Sequence, residues 1–324
     1  MEIHAHRPYA SSTFGNSEEI CIAVQNQDLY VLPSYRSLHI TGRLTKADGT
    51  SVVAKTELVN NGICFLFEEL RYELNGVEID RCKNVGLTSV MKGYASLTPS
   101  QKHSLENAGW FNVDATGEQT DANGYFDVNI PLKLLLGFCE DYNKIVVNAK
   151  HELVLTRSNT DHNAIIQSEQ ENYKMTLSKV EWLIPYVRAS DQHRIPLLNL
   201  IKTDKALTLT FRTWSLYEYP KLPATPKHIW TVKTSSHLEK PRYVILGFQT
   251  NRQNKRDRNA SHFDHVALRD IKLYLNSQCY PLRQSQPGHH QQPVCPSLRH
   301  VLSFPNRVLW KRGRTAVIEN RVFE

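Results

Sequence analysis

The side chains best able to do chemistry in this 324-residue sequence are two histidine pairs, six cysteines and two basic runs. His4-Ala5-His6 sets two imidazoles two residues apart, which on a strand puts both on one face, as a metal chelate requires. A strand-borne site of that type also needs a carboxylate shortly after the second histidine. None follows before Glu18, so exposed histidines are the favoured reading. His289-His290, with Cys295 nearby, is read as a chance cluster. No metal or other cofactor is expected. Cys21, Cys64, Cys82, Cys139, Cys279 and Cys295 lack any metal or disulfide spacing and read as reduced thiols. Phosphate loops, nucleophile elbows, paired-cysteine motifs and zincin motifs are all missing from the sequence, and no enzyme is expected.

The formal charge of +7 is compatible with a polyanionic partner, although a soluble basic protein is the plainer reading. Within Asn251–Arg258, the residues Arg252, Lys255, Arg256 and Arg258 could meet phosphates. Asp257 and the lack of an interleaved aromatic favour a solvated loop instead. Lys311-Arg312-Gly313-Arg314 is similar. Asn259-Ala260-Ser261 fits a glycosylation acceptor, expected to stay unmodified without an export route. No apolar run is long enough to span a membrane, and the N-terminus lacks a secretory core, so an intracellular protein with no membrane partner is expected.

The elements that must position these residues are strands. Phe65–Asp80 centres on Asn75-Gly76, both tolerant of positive φ and suited to a two-residue type I′ turn. The expected register pairs Leu74 with Val77, Tyr72 with Ile79 and Arg71 with Asp80, and sets Glu73 against Glu78. Val77 and Ile79 are then on the apolar face. A related stretch, Val266–Pro281, aligns Leu273, Leu275 and Asn276 with Tyr72, Leu74 and Asn75, suggesting a fold used twice. Further strands are expected over 20–32, 37–44, 125–132, 144–156, 173–187, 206–217, 228–234 and 242–250. One helix is expected over 87–96, and a second starts at Thr98-Pro99-Ser100-Gln101 with a capping box and stops at Gly109. Short strands with turn signals between them argue for β-sandwiches.

With those features in place the chain resembles the double jelly-roll major capsid proteins of Polinton/Maverick-type elements and related large DNA viruses, and arthropod genome-encoded double jelly-roll-like proteins most of all. The resemblance is carried by Phe65–Leu70 running into Tyr72, Leu74, Asn75 and Gly76, and by Tyr173–Glu181. It continues through Glu239–Phe248 with Thr250-Asn251, then Phe263-Asp264 leading to Leu273–Asn276 and Tyr280-Pro281. It implies an all-β protein of two jelly-roll sandwiches side by side, with a short helical insertion in the first. The divisions expected are an arm (1–19), a first roll (20–190), a linker (191–205) and a truncated second roll (206–283). An atypical tail (284–324) reads as disordered or as a gene-model artefact. The implied function is structural: self-association into homotrimeric, pseudo-hexagonal capsomers and a higher capsid-like assembly, with no small-molecule substrate. In a functional element the location would be the virion. An endogenised or transposon-borne copy is the origin the resemblance suggests. The alternative is a host-retained β-sandwich that binds carbohydrate, protein or nucleic acid without assembling.

Overall fold

A computed structural model describes residues 1–9, 13–25, 30–50, 56–111, 119–167, 172–188, 190–203, 208–219, 221–223, 225, 227–232, 243–264, 266, 271–275, 278–280, 306–311 and 315–320. The strands, in chain order, are β1 (Glu2–His6), β2 (Glu19–Val24), β3 (Tyr30–Val31), β4 (Ser37–Lys46), β5 (Thr56–Leu58), β6 (Phe67–Leu74), β7 (Val77–Lys83) and β8 (Tyr125–Pro131). They continue with β9 (His151–Arg157), β10 (Ile165–Gln167), β11 (Tyr173–Val187), β12 (Tyr243–Leu246), β13 (Leu273–Leu275), β14 (Gln278–Tyr280), β15 (Asn306–Lys311) and β16 (Thr315–Asn320). The helices are α1 (Val85–Ser96), α2 (Pro99–His103), α3 (Gly137–Asp141) and α4 (Asp191–Lys202). The fold is all-β, and no described helix is long and apolar enough to cross a membrane.

The chain divides into two compact units, the first made of Met1–Val90, Thr98–Leu216 and Gln253–Ser261. Here one sheet runs β1-β11-β4-β8, with β3 added on β11, and a second runs β2-β9-β6-β7. The chain crosses from sheet to sheet in the order that defines a jelly roll, and all eight strands of the roll are present. Alternation sets the core. Ile20 and Ile22, Leu38 and Ile40, Leu70 and Tyr72, Leu153 and Leu155, and Val180, Trp182 and Ile184 are all buried. In β11 a bulge between Leu177 and Lys179 shifts the phase, so the inward residues change from odd to even numbers and the long strand keeps its apolar face inside.

Several expectations need correction. Glu2–His6, expected to lie in an arm, is the edge strand of the first sheet, pairing Glu2 with Tyr186 through to His6 with Trp182. The strand expected over 20–32 is Glu19–Val24 followed by the short β3. The one expected over 144–156 is confined to His151–Arg157. The hairpin turns at Asn75 and Gly76, with φ of 51° and 77°. It pairs Leu74 with Val77 and Glu73 with Glu78 as expected, but a bulge then sets Tyr72 against Asp80 and Arg71 against Arg81. Asp80 and Cys82 therefore face inward, while Val77 is 62% exposed. The gain is a cap: the buried Asp80 carboxylate accepts from the Phe138 amide in the first turn of α3, at 2.9 Å. The helix expected over 87–96 begins earlier, at Val85. Thr98 and Gln101 form the capping box, and Gly109 sits at φ 81° after a 3-10 turn over Glu106–Ala108.

Asp191–Lys202, in the expected linker, is a helix started by the Ser190 carbonyl, which accepts from the amides of His193 and Arg194 at 2.9 Å each. The described part of 206–217 carries no strand, because Arg212 is engaged elsewhere. Its amide donates to Asp141 Oδ2 (2.9 Å) and its guanidinium grips both oxygens of the same carboxylate. Phe211 stacks edge-on against Phe138, with centroids 5.2 Å apart. A Cβ at Gly137 would run into the Arg212 carbonyl.

The second unit comprises Met91–Leu97, Tyr217–Arg252 and His262–Glu324. The described part of 228–234 carries no strand, and the strand expected over 242–250 is the shorter β12. β12 pairs with β16 and β16 with β15, so part of the expected tail forms a hairpin. The second hairpin pairs Leu273 with Tyr280 and Leu275 with Gln278, the register that a two-residue turn demands. Asn276 and Pro281 lie outside the described residues.

The seat of Arg212 gives a first prediction. Gly137→Val overpacks it at a cost of about 1–3 kcal/mol, which raises local opening roughly tenfold or more. Limited trypsin digestion should cut after Arg212 correspondingly faster, with an unchanged rate at sites in 1–50.

Candidate functional site

The most concentrated chemistry lies inside the first roll. Arg36, just before β4, is 1% exposed and reaches across the sandwich to the opposite sheet. Its Nη1 donates to the Tyr72 hydroxyl on β6, and Nη2 lies 3.3 Å from His151 Nδ1 on β9. The Tyr72 hydroxyl is 2.6 Å from the same nitrogen and, already accepting from Arg36, gives its own proton to it. The guanidinium also faces two rings, 5.0 Å from Trp182 and 5.2 Å from Tyr72. Among the described residues no carboxylate pairs with Arg36. Burial, helped by the Arg36 charge, pushes His151 down to about 2, so the imidazole is neutral. Burial likewise pushes the Tyr72 phenol up.

A second cluster covers the outer face of the β1-β11-β4-β8 sheet. His39 stands between two acids, with Nε2 2.8 Å from Asp127 and Nδ1 3.5 Å from Glu181. Glu181 also receives Arg7 and Lys179, each at 2.8 Å. Burial alone would raise Glu181, but the hydrogen bonds from Lys179, Arg7 and His39 outweigh it and hold the carboxyl at about 2. The imidazole keeps the two carboxylates apart, so the cluster neutralises charge and does not cradle an ion. Among the described residues no three His, Cys, Asp or Glu side chains converge to hold a metal.

The hairpin residues separate by role. Tyr72 belongs to the buried cluster, and Leu74 is buried. Asn75 ties the turn to Lys150, donating from its amide (2.9 Å) and accepting at Oδ1 (2.8 Å). Gly76 supplies the second positive φ. In the second hairpin Leu275 pairs three residues on, as Leu74 does, whereas Leu273 pairs with Tyr280 in a regular register that the bulge denies Tyr72. The basic run does not act as one patch. Arg252 is clamped on Asp264 through Nη2 (2.6 Å) and Nε (3.1 Å). Arg256 Nη2 lies 2.7 Å from His162 Nε2. Lys255 and Arg258 are exposed. The hydrogen bonds from Arg252 hold Asp264 at about 2, and its carboxylate also accepts from the Thr250 amide at 2.7 Å. The Asp264 amide donates to the Phe248 carbonyl, and Phe263 meets Tyr94 edge-on at 6.3 Å. Two separate stretches that carried the resemblance, 248–250 and 263–264, thus meet in space.

Sequence reasoning missed Arg36, His151, His39 and Glu181. The only available signal was a polar residue breaking an apolar face: His151 faces inward in β9, and Arg36 adjoins Leu38 and Ile40. Partners on different strands give no motif.

The model of the double jelly roll-like domain matches residues 56–286, and the chain belongs to that family. No curated protein matches it. Among solved structures it is similar to the mavirus major capsid protein, with 11% identity and a TM-score of 0.42, covering 59% of this chain and 47% of that one. It is also similar to the Faustovirus major capsid protein, with 9% identity and a TM-score of 0.43, covering 61% and 56% respectively. A third is a cryo-EM structure of the Sputnik virophage, with 11% identity and a TM-score of 0.35, covering 59% and 48%. The chain thus spans about half the length of the structures it matches.

The neutral His151 gives a second prediction. Unfolded, its pKa is near the ordinary 6.5, so below that pH the unfolded chain binds the extra proton and the fold loses stability. The loss approaches about 1.4 kcal/mol per pH unit. Urea unfolding at pH 7 and pH 5 should show it, and His151→Gln should reduce the pH slope by one proton while lowering stability at both values.

Proposed function

We propose that this protein is a structural, self-assembling protein of the capsid-like double jelly-roll type, related to those of Polinton/Maverick-type elements or an endogenised copy of one. Its unit of assembly is a trimer in which three chains with two β units each make a pseudo-hexagonal capsomer. The observation that carries the reading is the complete eight-stranded roll, followed by a second β unit, in a chain of the double jelly roll-like family. Among the described residues β1 and β8, and β2 and β7, are the sheet edges, and association would cover such edges. The polar networks are compatible with a scaffold, since the outer one pairs His39, Arg7 and Lys179 with Asp127 and Glu181.

Size-exclusion chromatography with light scattering on the full chain tests this. A trimer that persists on dilution is the expected result, and a monomer at every concentration overturns the reading. A second reading, a host-retained β-sandwich binding module, is favoured by one observation: the first roll closes all its strands within a single chain. That reading predicts the monomer. If the assembly encloses nucleic acid, Lys255 and Arg258 are the exposed cations of the basic run. Replacing both with Ala should then lower the slope of log affinity against log salt by roughly 2 in a filter-binding assay with duplex DNA.

A further inference from the structure

We propose that β1 is an acid-released latch: protonation of His6 frees the first strand from β11 while the remainder of the first unit stays folded. Among the described residues β1 is an edge strand of five residues held by a single ladder, from Glu2–Tyr186 to His6–Trp182. Its outer side meets solvent, with Ile3 65% exposed. His4 and His6 share a face, and both rest on the Tyr186 ring, with centroids 4.9 and 5.8 Å away. His6 Nε2 lies 3.0 Å from the Tyr186 hydroxyl. With Nε2 bare the neutral ring accepts from that hydroxyl; an imidazolium must instead donate to the phenol oxygen, which reverses the bond and places the new charge on a half-buried ring.

The charged groups around His6 resist the extra proton. From β1 comes His4; from the start of β4 comes Arg36, itself packed against Tyr72 of β6 and His151 of β9. From β11 comes only the phenol of Tyr186, which burial holds in its protonated form. Burial first, then His4 and Arg36, hold His6 below its ordinary value. Glu2 lies 3.4 Å from His4, but both side chains are more than two-fifths exposed, so it offsets little. Arg7, the residue after β1, holds Glu181, which stays ionised down to about 2 and keeps the released strand tethered.

The sign follows from linkage. A detached His6 titrates near 6.5, so below that pH the detached strand binds the proton more readily and docking weakens, by up to about tenfold per pH unit. β11 remains paired to β4 from Tyr173 through Leu183, so opening is confined to β1. Release would bare the 182–186 edge, a backbone row to which a strand of a second copy can add.

Hydrogen–deuterium exchange on the full chain at pH 7.5 and 5.5, corrected for the intrinsic rate, tests the proposal. The alternate amides of residues 2–6 that bond β11 should lose protection at the lower pH, by up to about tenfold, while those of the β4–β11 ladder hold theirs. His6→Gln should remove the difference. Protection of β1 that does not change with pH, or an equal loss across β4, overturns it. The wild-type comparison decides between these outcomes even if the variant does not fold.

Discussion

A guanidinium buried without an acid among the described residues is the constraint around which the first roll is arranged. Removing a charge from water costs several kcal/mol unless the interior supplies compensating dipoles and π-faces. Arg36 finds them only if β6 and β9 deliver Tyr72 and His151 at the depth where β11 delivers Trp182. Because side chains alternate along a strand, a slip of one residue in any of these strands would turn its contribution away and leave the charge alone. The cluster is thus a check on register across both sheets. A second fully buried arginine, Arg157, does have an acid: it meets Asp161 at 3.0 Å and the Leu66 carbonyl at 2.8 Å.

The second unit is organised differently. Its described centre is the joint where Arg252, Thr250 and Phe248 converge on Asp264. The hydrogen bonds there close a loop between two stretches that are separate in sequence, using groups of both main chain and side chain. Beside it the fully buried Phe263 packs against Tyr94 and the backbone at Gly247, so the joint combines polar ties with an apolar anchor.

What was legible in the sequence was whatever local chemistry decides. Asn75-Gly76 dictated its turn, Thr98 and Gln101 their capping box, and the alternating runs gave Tyr125–Pro131 and Tyr173–Val187 almost to the residue. Legibility ended where a distant partner overrules the local pattern. Ile79 loses its expected place because α3 requires the Asp80 carboxylate. The stretch 208–217 has a strand-like composition, yet Asp141 captures the backbone amide of Arg212 that a ladder would have used. The polar strand Glu2–His6 looks like an arm until β11 is set beside it. The buried cluster was hidden for the same reason, since its members lie far apart in the chain and each is ordinary among its neighbours.

The long reach of β11 also bears on how the protein is made. Among the described residues this strand is the sheet partner of β1, and it separates β1 from β4. During synthesis the residues of β1 therefore lack their β11 partner until the chain has been extended through Val187. The roll cannot be assembled stepwise from its N-terminus, and its closure is a single late event dominated by contacts distant in sequence. Until then Leu38 and Ile40 on β4 have no β11 to lie against, and a nascent chain in that state depends on dilution or on a chaperone to keep it from its neighbours.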